Sequence, residues 1–196
     1  MMDKSLQVEA TVNKLKNIAK TKIKGKKYNT ALAAISCAAE ILYIFNQKYA
    51  DDDLEKLTSD IGDILKSKYS RANYKECTDT VLVYDGFGLD TRGVVLMYLN
   101  ALGLNGYSVC YVTNSAVQDS IPTIKSMCGK YGFEIMYVDM SSYEKCFLQL
   151  SNIFETRKPK AAFFYTTPYD SAASAVFHIY EGLCNRYLID LTDHAF

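Results

Sequence analysis

One short stretch gathers the side chains most able to do chemistry: Asp85-Gly86-Phe87-Gly88-Leu89-Asp90-Thr91-Arg92-Gly93. Glycines at this spacing permit a tight turn and let a ligand come close to the backbone. A helix begun straight after such a turn offers unpaired N–H groups and a positive dipole end to an anion or a sugar hydroxyl. Asp85, Asp90 and Arg92 are expected to project into the crevice so formed, with Gly86, Gly88 and Gly93 shaping it. The alternative is conformational: Asp90 or Thr91 caps the helix, and the glycines serve the turn. Two nucleotide signatures fail here. G-x-G-x-x-G would need a glycine where Thr91 stands, and a P-loop would need Gly-Lys-Ser/Thr to follow.

Four further clusters carry small hydrogen-bonding groups: Thr113-Asn114-Ser115, Asp139, Thr166-Thr167-Pro168-Tyr169-Asp170 and Thr192-Asp193-His194. Thr113, Thr166 and Asp193 are candidate substrate contacts. His194, beside Asp193, is the candidate catalytic residue, placed to donate to a phosphate or assist proton transfer. A loop histidine without chemistry is the alternative. A rim of this kind suits a polyhydroxylated or phosphorylated ligand better than an apolar one. His178 lies among Val176, Phe177 and Ile179 and reads as packing. The six cysteines form no C-x-x-C pair, and the two histidines are far apart, so neither a structural zinc site nor another metal or cofactor is expected. Cys37 and Cys110 read as small buried hydrophobes. Most of the sixteen tyrosines also read as packing.

The elements that must position these groups follow from apolar periodicity. Five β-branched or aromatic runs read as strands: 80–84, 107–112, 133–138, 161–165 and 186–191. Helical stretches at 92–104, 120–131, 143–154 and, less regularly, 170–179 separate them. Strands alternating with helices predict right-handed βαβ units in an open parallel Rossmann-like α/β sheet, ordered 3-2-1-4-5. Every candidate group then falls at a strand's carboxyl end. Residues 1–70 differ: three helices, at 5–20, 28–49 and 54–66, predict a small helical bundle. Gly25 breaks the first, and Asp51 to Asp53 cap the third. A polar linker near 67–78 separates this segment from the α/β domain at 78–196. The bundle carries no catalytic constellation, so packing or oligomerisation is its expected role.

Charge adds one feature. The chain is neutral overall, which gives no reason to expect a nucleic-acid partner. Yet Lys14, Lys16, Lys20, Lys22, Lys24, Lys26 and Lys27 crowd the beginning, opposed only by Asp3 and Glu9. Such a cluster suits anionic lipid or phosphate, and its alternative is a solvated helix face. With no apolar run of spanning length, no signal-peptide pattern and scattered cysteines, a cytoplasmic protein is expected, at most peripheral at the inner face of the membrane.

The runs Val81-Leu82-Val83-Tyr84-Asp85-Gly86-Phe87, Arg92-Gly93-Val94-Val95-Leu96-Met97-Tyr98-Leu99-Asn100-Ala101-Leu102 and Gly106-Tyr107-Ser108-Val109-Cys110-Tyr111-Val112-Thr113 resemble the opening of a GT-B glycosyltransferase. The tail Ile189-Asp190-Leu191-Thr192-Asp193-His194-Ala195-Phe196 resembles a segment in the N-terminal half of bacterial cell-surface polysaccharide glycosyltransferases. The resemblance covers about Thr80 to Phe196. It implies an acceptor-side domain whose loop at Asp85 to Gly93 and strand-end groups line an interdomain cleft, with nucleotide sugar and glycan acceptor as partners and no metal required. The nucleotide sugar would sit mainly in a second domain, to which nothing here corresponds. The expectation is an N-terminal piece of a transferase, without turnover alone. Two rivals stay open. A DHH-type metal-dependent phosphoesterase shares the parallel sheet and an Asp-His pair, but Ala195 stands where a second histidine belongs. A non-catalytic interaction module would use the helical segment for docking.

Overall fold

A computed structural model of the chain describes residues 4–45, 50–69, 78–91 and 93–189. Three helices come first: α1 (Lys4–Lys24), α2 (Tyr28–Ile44) and α3 (Asp52–Tyr69). The left-handed residue that ends α1 is Lys26, at φ 57°, rather than Gly25. The turn closes with the Lys27 N–H donating to the Lys22 carbonyl and the Lys26 N–H to the Ile23 carbonyl. The α3 start is held as its sequence implies, with the Leu54 N–H donating to Asp51 Oδ1 at 3.1 Å. Asp52, Asp53 and Glu55 stand at its positive end and Lys66 and Lys68 at its negative end. The helix expected to reach residue 49 is described only to Ile44, and residues 46–49 lie outside the described portion.

Strands and crossover helices then alternate: β1 (Thr78–Asp85), α4 (Gly93–Leu104), β2 (Ser108–Asn114), α5 (Pro122–Tyr131), β3 (Glu134–Val138), α6 (Tyr143–Arg157), β4 (Pro159–Tyr165), α7 (Ser171–Ile179) and β5 (Asn185–Leu188). All five strands pair in parallel in the order β3-β2-β1-β4-β5. The α/β class and the 3-2-1-4-5 order are therefore those the sequence pattern predicts. A 3₁₀ stretch, Ser115–Ser120, replaces the expected loop after β2, and α5 begins two residues late because Pro122 occupies its first turn.

The strands carry alternate side chains to two faces. Leu82, Tyr84, Cys110, Val112, Ala162 and Phe164 face a core shared with α6, α7 and all three N-terminal helices. Val81, Val83, Val109, Tyr111 and Tyr165 face a second core under α4 and α5. The N-terminal helices thus bury their apolar stripes in the same cluster as one sheet face. Lys66 on α3 reaches α7, donating to the Ile179 carbonyl at 2.8 Å. Cys37 points outward from α2 and is exposed, unlike Cys110, which is buried. His178 is about one-third exposed, its Nε2 3.6 Å from Asp63 Oδ1, rather than a core group.

Candidate functional site

β1 lies in the middle of the sheet, between β2 and β4, where the crossovers change direction. Its last pairs set Asp85 beside Thr113 on β2 and beside Tyr165 on β4. Ligands of open parallel sheets bind outside the carboxyl ends of the strands at this point.

Asp85 sits at the centre but does not project into the crevice. It is fully buried. Its Oδ1 accepts from the Phe87 N–H at 3.0 Å and the Gly88 N–H at 2.9 Å, and its Oδ2 accepts from the Tyr111 hydroxyl at 2.6 Å. Thr113, also fully buried, donates from Oγ1 to the Asp85 carbonyl at 2.8 Å. Burial, and then the Asp85 charge, push the Tyr111 phenol far above its ordinary pKa, so it is a permanent donor. Asp85, Tyr111 and Thr113 therefore fix the shape of the loop. Gly88 takes φ +59° there, and a Cβ on it would stand 2.6 Å from a Val117 methyl.

A second carboxylate organises the loop after β4. Asp170 Oδ2 accepts from the Thr166 hydroxyl at 2.8 Å and the Tyr84 hydroxyl at 2.9 Å. Its Oδ1 caps α7 through the Ala173 N–H at 3.1 Å. Burial, then Asp170 and Cys146, hold the Tyr84 phenol well above its usual pKa. Burial also pushes the Cys146 thiol up to about 12, so it is inert at neutral pH. The two loops meet at Gly86. Its N–H donates to the Tyr165 carbonyl at 2.8 Å, and a Cβ there would lie 2.2 Å from Thr166 Oγ1. No side chain fits between them.

Asp90 does cap a helix, but not the one that follows it. Its Oδ1 accepts from the Ile124 N–H of α5 at 3.0 Å. Burial alone would raise this carboxyl. The Thr123 hydroxyl and the Ile124 and Thr123 N–H groups outweigh that and hold it below the usual value. With both aspartates engaged, the loop turns other groups outward: Leu89, Thr91 and Gly93 are exposed, and Phe87 packs on Tyr165 with ring centroids 4.8 Å apart. Gly93 opens α4, whose first turn leaves N–H groups without intrahelical acceptors.

No protein-family model, no curated protein and no solved structure matches this chain. The site must therefore be read from its own geometry.

The rim has an unexpected wall. Asn29 Oδ1, at the start of α2, accepts from Ser142 Oγ at 2.9 Å and the Glu144 N–H at 3.3 Å, at the turn between β3 and α6. Further along α2, Ser36 Oγ donates to the Tyr169 carbonyl at 2.5 Å and accepts from the Tyr143 hydroxyl at 3.2 Å. The Leu32 carbonyl accepts from Ser171 Oγ at 2.9 Å. Tyr43 packs on Tyr169 at 6.0 Å. Helix α2 is thus a crossbar tied to the loops after β3 and β4. Nothing in its sequence flags this, because Asn29 and Ser36 are isolated polar residues in an apolar helix.

Asp139, after β3, is engaged by Ser141 and by Lys145 at 3.1 Å, which lower its pKa to about 2. Arg92, Asp193 and His194 lie outside the described residues. A cavity of about 320 Å³ opens at the opposite edge of the sheet, lined by Gly103, Gly106, Tyr107, Tyr131, Gly132 and Glu134. Two of its polar side chains are already engaged: the Tyr131 hydroxyl donates to Asn100 at 2.6 Å, and Glu134 pairs with Arg157. The carboxyl-end rim, where two loops and a helix start converge, is the better candidate. Among the described residues no three His, Cys, Asp or Glu side chains cluster closely enough to hold a metal ion.

Proposed function

We propose that this chain is the acceptor-side, Rossmann-like domain of a GT-B glycosyltransferase, and that the rim at the carboxyl ends of β1 and β4 receives the sugar hydroxyls of a glycan acceptor. The observation that carries the reading is the junction at Gly86. In a sheet ordered β3-β2-β1-β4-β5, the loop after β1 is closed against Thr166 at the point where crossovers reverse. The rigid loop presents backbone, Thr91 and the α4 start to a ligand, flanked by Leu89 and Phe87. Exposed N–H groups and hydroxyls with small apolar flanks suit a carbohydrate, which has polar edges and apolar ring faces.

Transfer requires donor and acceptor to be held in register and the leaving diphosphate to be stabilised by dipoles and cations. In this reading the chain supplies the first of these for the acceptor. Arg92, Asp193 and His194 keep the roles their positions in the sequence suggest, with His194 assisting proton transfer from the acceptor hydroxyl. The nucleotide sugar belongs to a second domain.

Titration calorimetry of the chain tests this. A panel of neutral oligosaccharides should contain one that saturates, while uridine and guanosine diphosphate sugars show little heat by themselves. Tight nucleotide binding without saccharide binding contradicts the acceptor-side assignment. Manganese-dependent phosphodiester hydrolysis would replace it with the phosphoesterase reading.

A further inference from the structure

We propose that the turn between α1 and α2 docks the molecule on an anionic lipid bilayer, so that the rim faces acceptors held at the membrane surface. The docking stands on its own observations, whereas the claim about acceptors rests on the transferase reading.

The lysines of the sequence separate into two kinds. Lys16 points inward, paired with Asp51 at 2.5 Å and Asp53 at 3.3 Å. Lys20, Lys22, Lys24, Lys26 and Lys27 gather where α1 ends, and all but the half-buried Lys22 are exposed. None of these five pairs with a carboxylate of the described residues. Lysine also occupies the left-handed position of this turn, at Lys26. That conformation costs a residue with a Cβ about 1 kcal/mol, and glycine is the usual occupant. A charged side chain stands there against the local preference.

The position of the turn gives the cluster its direction. Asn29, two residues beyond Lys27, is tied to Ser142 and Glu144, just past the end of β3. Two residues span at most about 7 Å, so Lys27 stands at the carboxyl edge of the sheet, the edge that carries the rim, and the hydrogen bonds of the turn hold Lys22 and Lys26 beside it. The acidic groups nearby are Asp139, which pairs with Lys145, and Glu144. A shallow groove of about 590 Å³ runs along α1 toward the turn, lined by Asn13, Lys14, Asn17, Ile18, Thr21 and Lys22. Amides, a hydroxyl and ammonium groups along one groove suit phosphodiester headgroups.

A bilayer fits better than a nucleic acid. The chain is neutral overall, whereas nucleic-acid binders carry a wide basic surface. Four to eight basic residues on one face are the number that holds a protein to anionic lipid, at a roughly five-fold gain in partition for each.

Co-sedimentation with vesicles of phosphatidylcholine containing roughly one-third phosphatidylglycerol is the test, at about 0.05 M and 0.5 M salt. The chain should pellet with anionic vesicles at low salt, stay in solution with pure phosphatidylcholine, and be released at high salt. Lys22, Lys24, Lys26 and Lys27 changed to Glu together should abolish pelleting with an unchanged circular dichroism spectrum. Lys26→Gly should weaken partition by roughly five-fold while raising the melting temperature. A paramagnetic headgroup should broaden the amides of 86–91 and 166–169 and spare 103–107. Equal partition of the charge-reversed chain, broadening at 103–107 instead, or tight RNA binding without vesicle binding overturns the proposal. No saccharide is present, so failure of the sugar reading leaves these outcomes unchanged.

Discussion

Two carboxylates, Asp85 and Asp170, each receive a tyrosine hydroxyl, Asp85 two backbone N–H groups besides and Asp170 one, and each shapes one of the loops that meet at Gly86. Removing the Tyr111 hydroxyl leaves a buried carboxylate oxygen with one donor fewer. Tyr111→Phe should therefore lower stability by about 1–3 kcal/mol in urea unfolding, and more than the same change at exposed Tyr107. Gly86→Ala forces a Cβ against Thr166 and should cost about 1–3 kcal/mol, while Thr166→Gly in the same chain should recover much of that. Strict additivity of the two changes would show that the loops are not in contact. Asp139 offers a titration check. Ser141 first, and then Lys145, depress its pKa to about 2, so the stabilisation is present above the ordinary carboxylate value near 3.9 and is lost as pH falls toward 2. Carboxyl NMR should find that low midpoint and see it move up in Ser141→Ala. The sequence located Asp85, Gly86, Gly88 and Asp90 at the right strand end but misjudged where the two carboxylates point. Their partners, Tyr111 on the neighbouring strand and Ile124 on the second crossover helix, are 26 and 34 residues away. Local spacing carries no trace of such pairings.

Apolar periodicity places every described α-helix and strand to within a few residues, although β1 and β2 are buried on both faces and β5 is largely exposed. It does not show how α2 is used. That helix looks like bundle core, yet Asn29, Leu32 and Ser36 bond to the loops after β3 and β4. Ser36→Ala frees the Tyr169 carbonyl and leaves the apolar face of α2 intact. Hydrogen exchange at 167–170 should accelerate several-fold while amides of β1 and β2 keep their protection. Uniform acceleration across the sheet would mean that Ser36 acts on global stability rather than on the loop.

For the molecule as a whole, strand order decides the geography. A parallel sheet ordered β3-β2-β1-β4-β5 sends five strand ends to one edge, and the hydrogen bonds of α2 bring the lysine turn to that same edge. Fold class and order were readable because strands alternating with helices leave few right-handed windings. The shared core of the N-terminal helices and one sheet face was not readable, since periodicity says which side of a helix is buried and not against what. Among the described residues no helix is long and apolar enough to cross a membrane. The sugar-accepting rim is tested most directly by amide NMR of the labelled chain during titration with the oligosaccharide that saturates in calorimetry. Shifts should concentrate at Phe87 to Thr91, Gly93 and Thr166 to Tyr169. Shifts confined to Gly103, Gly106 and Gly132 at the far edge, or no saturating oligosaccharide at all, would contradict the account.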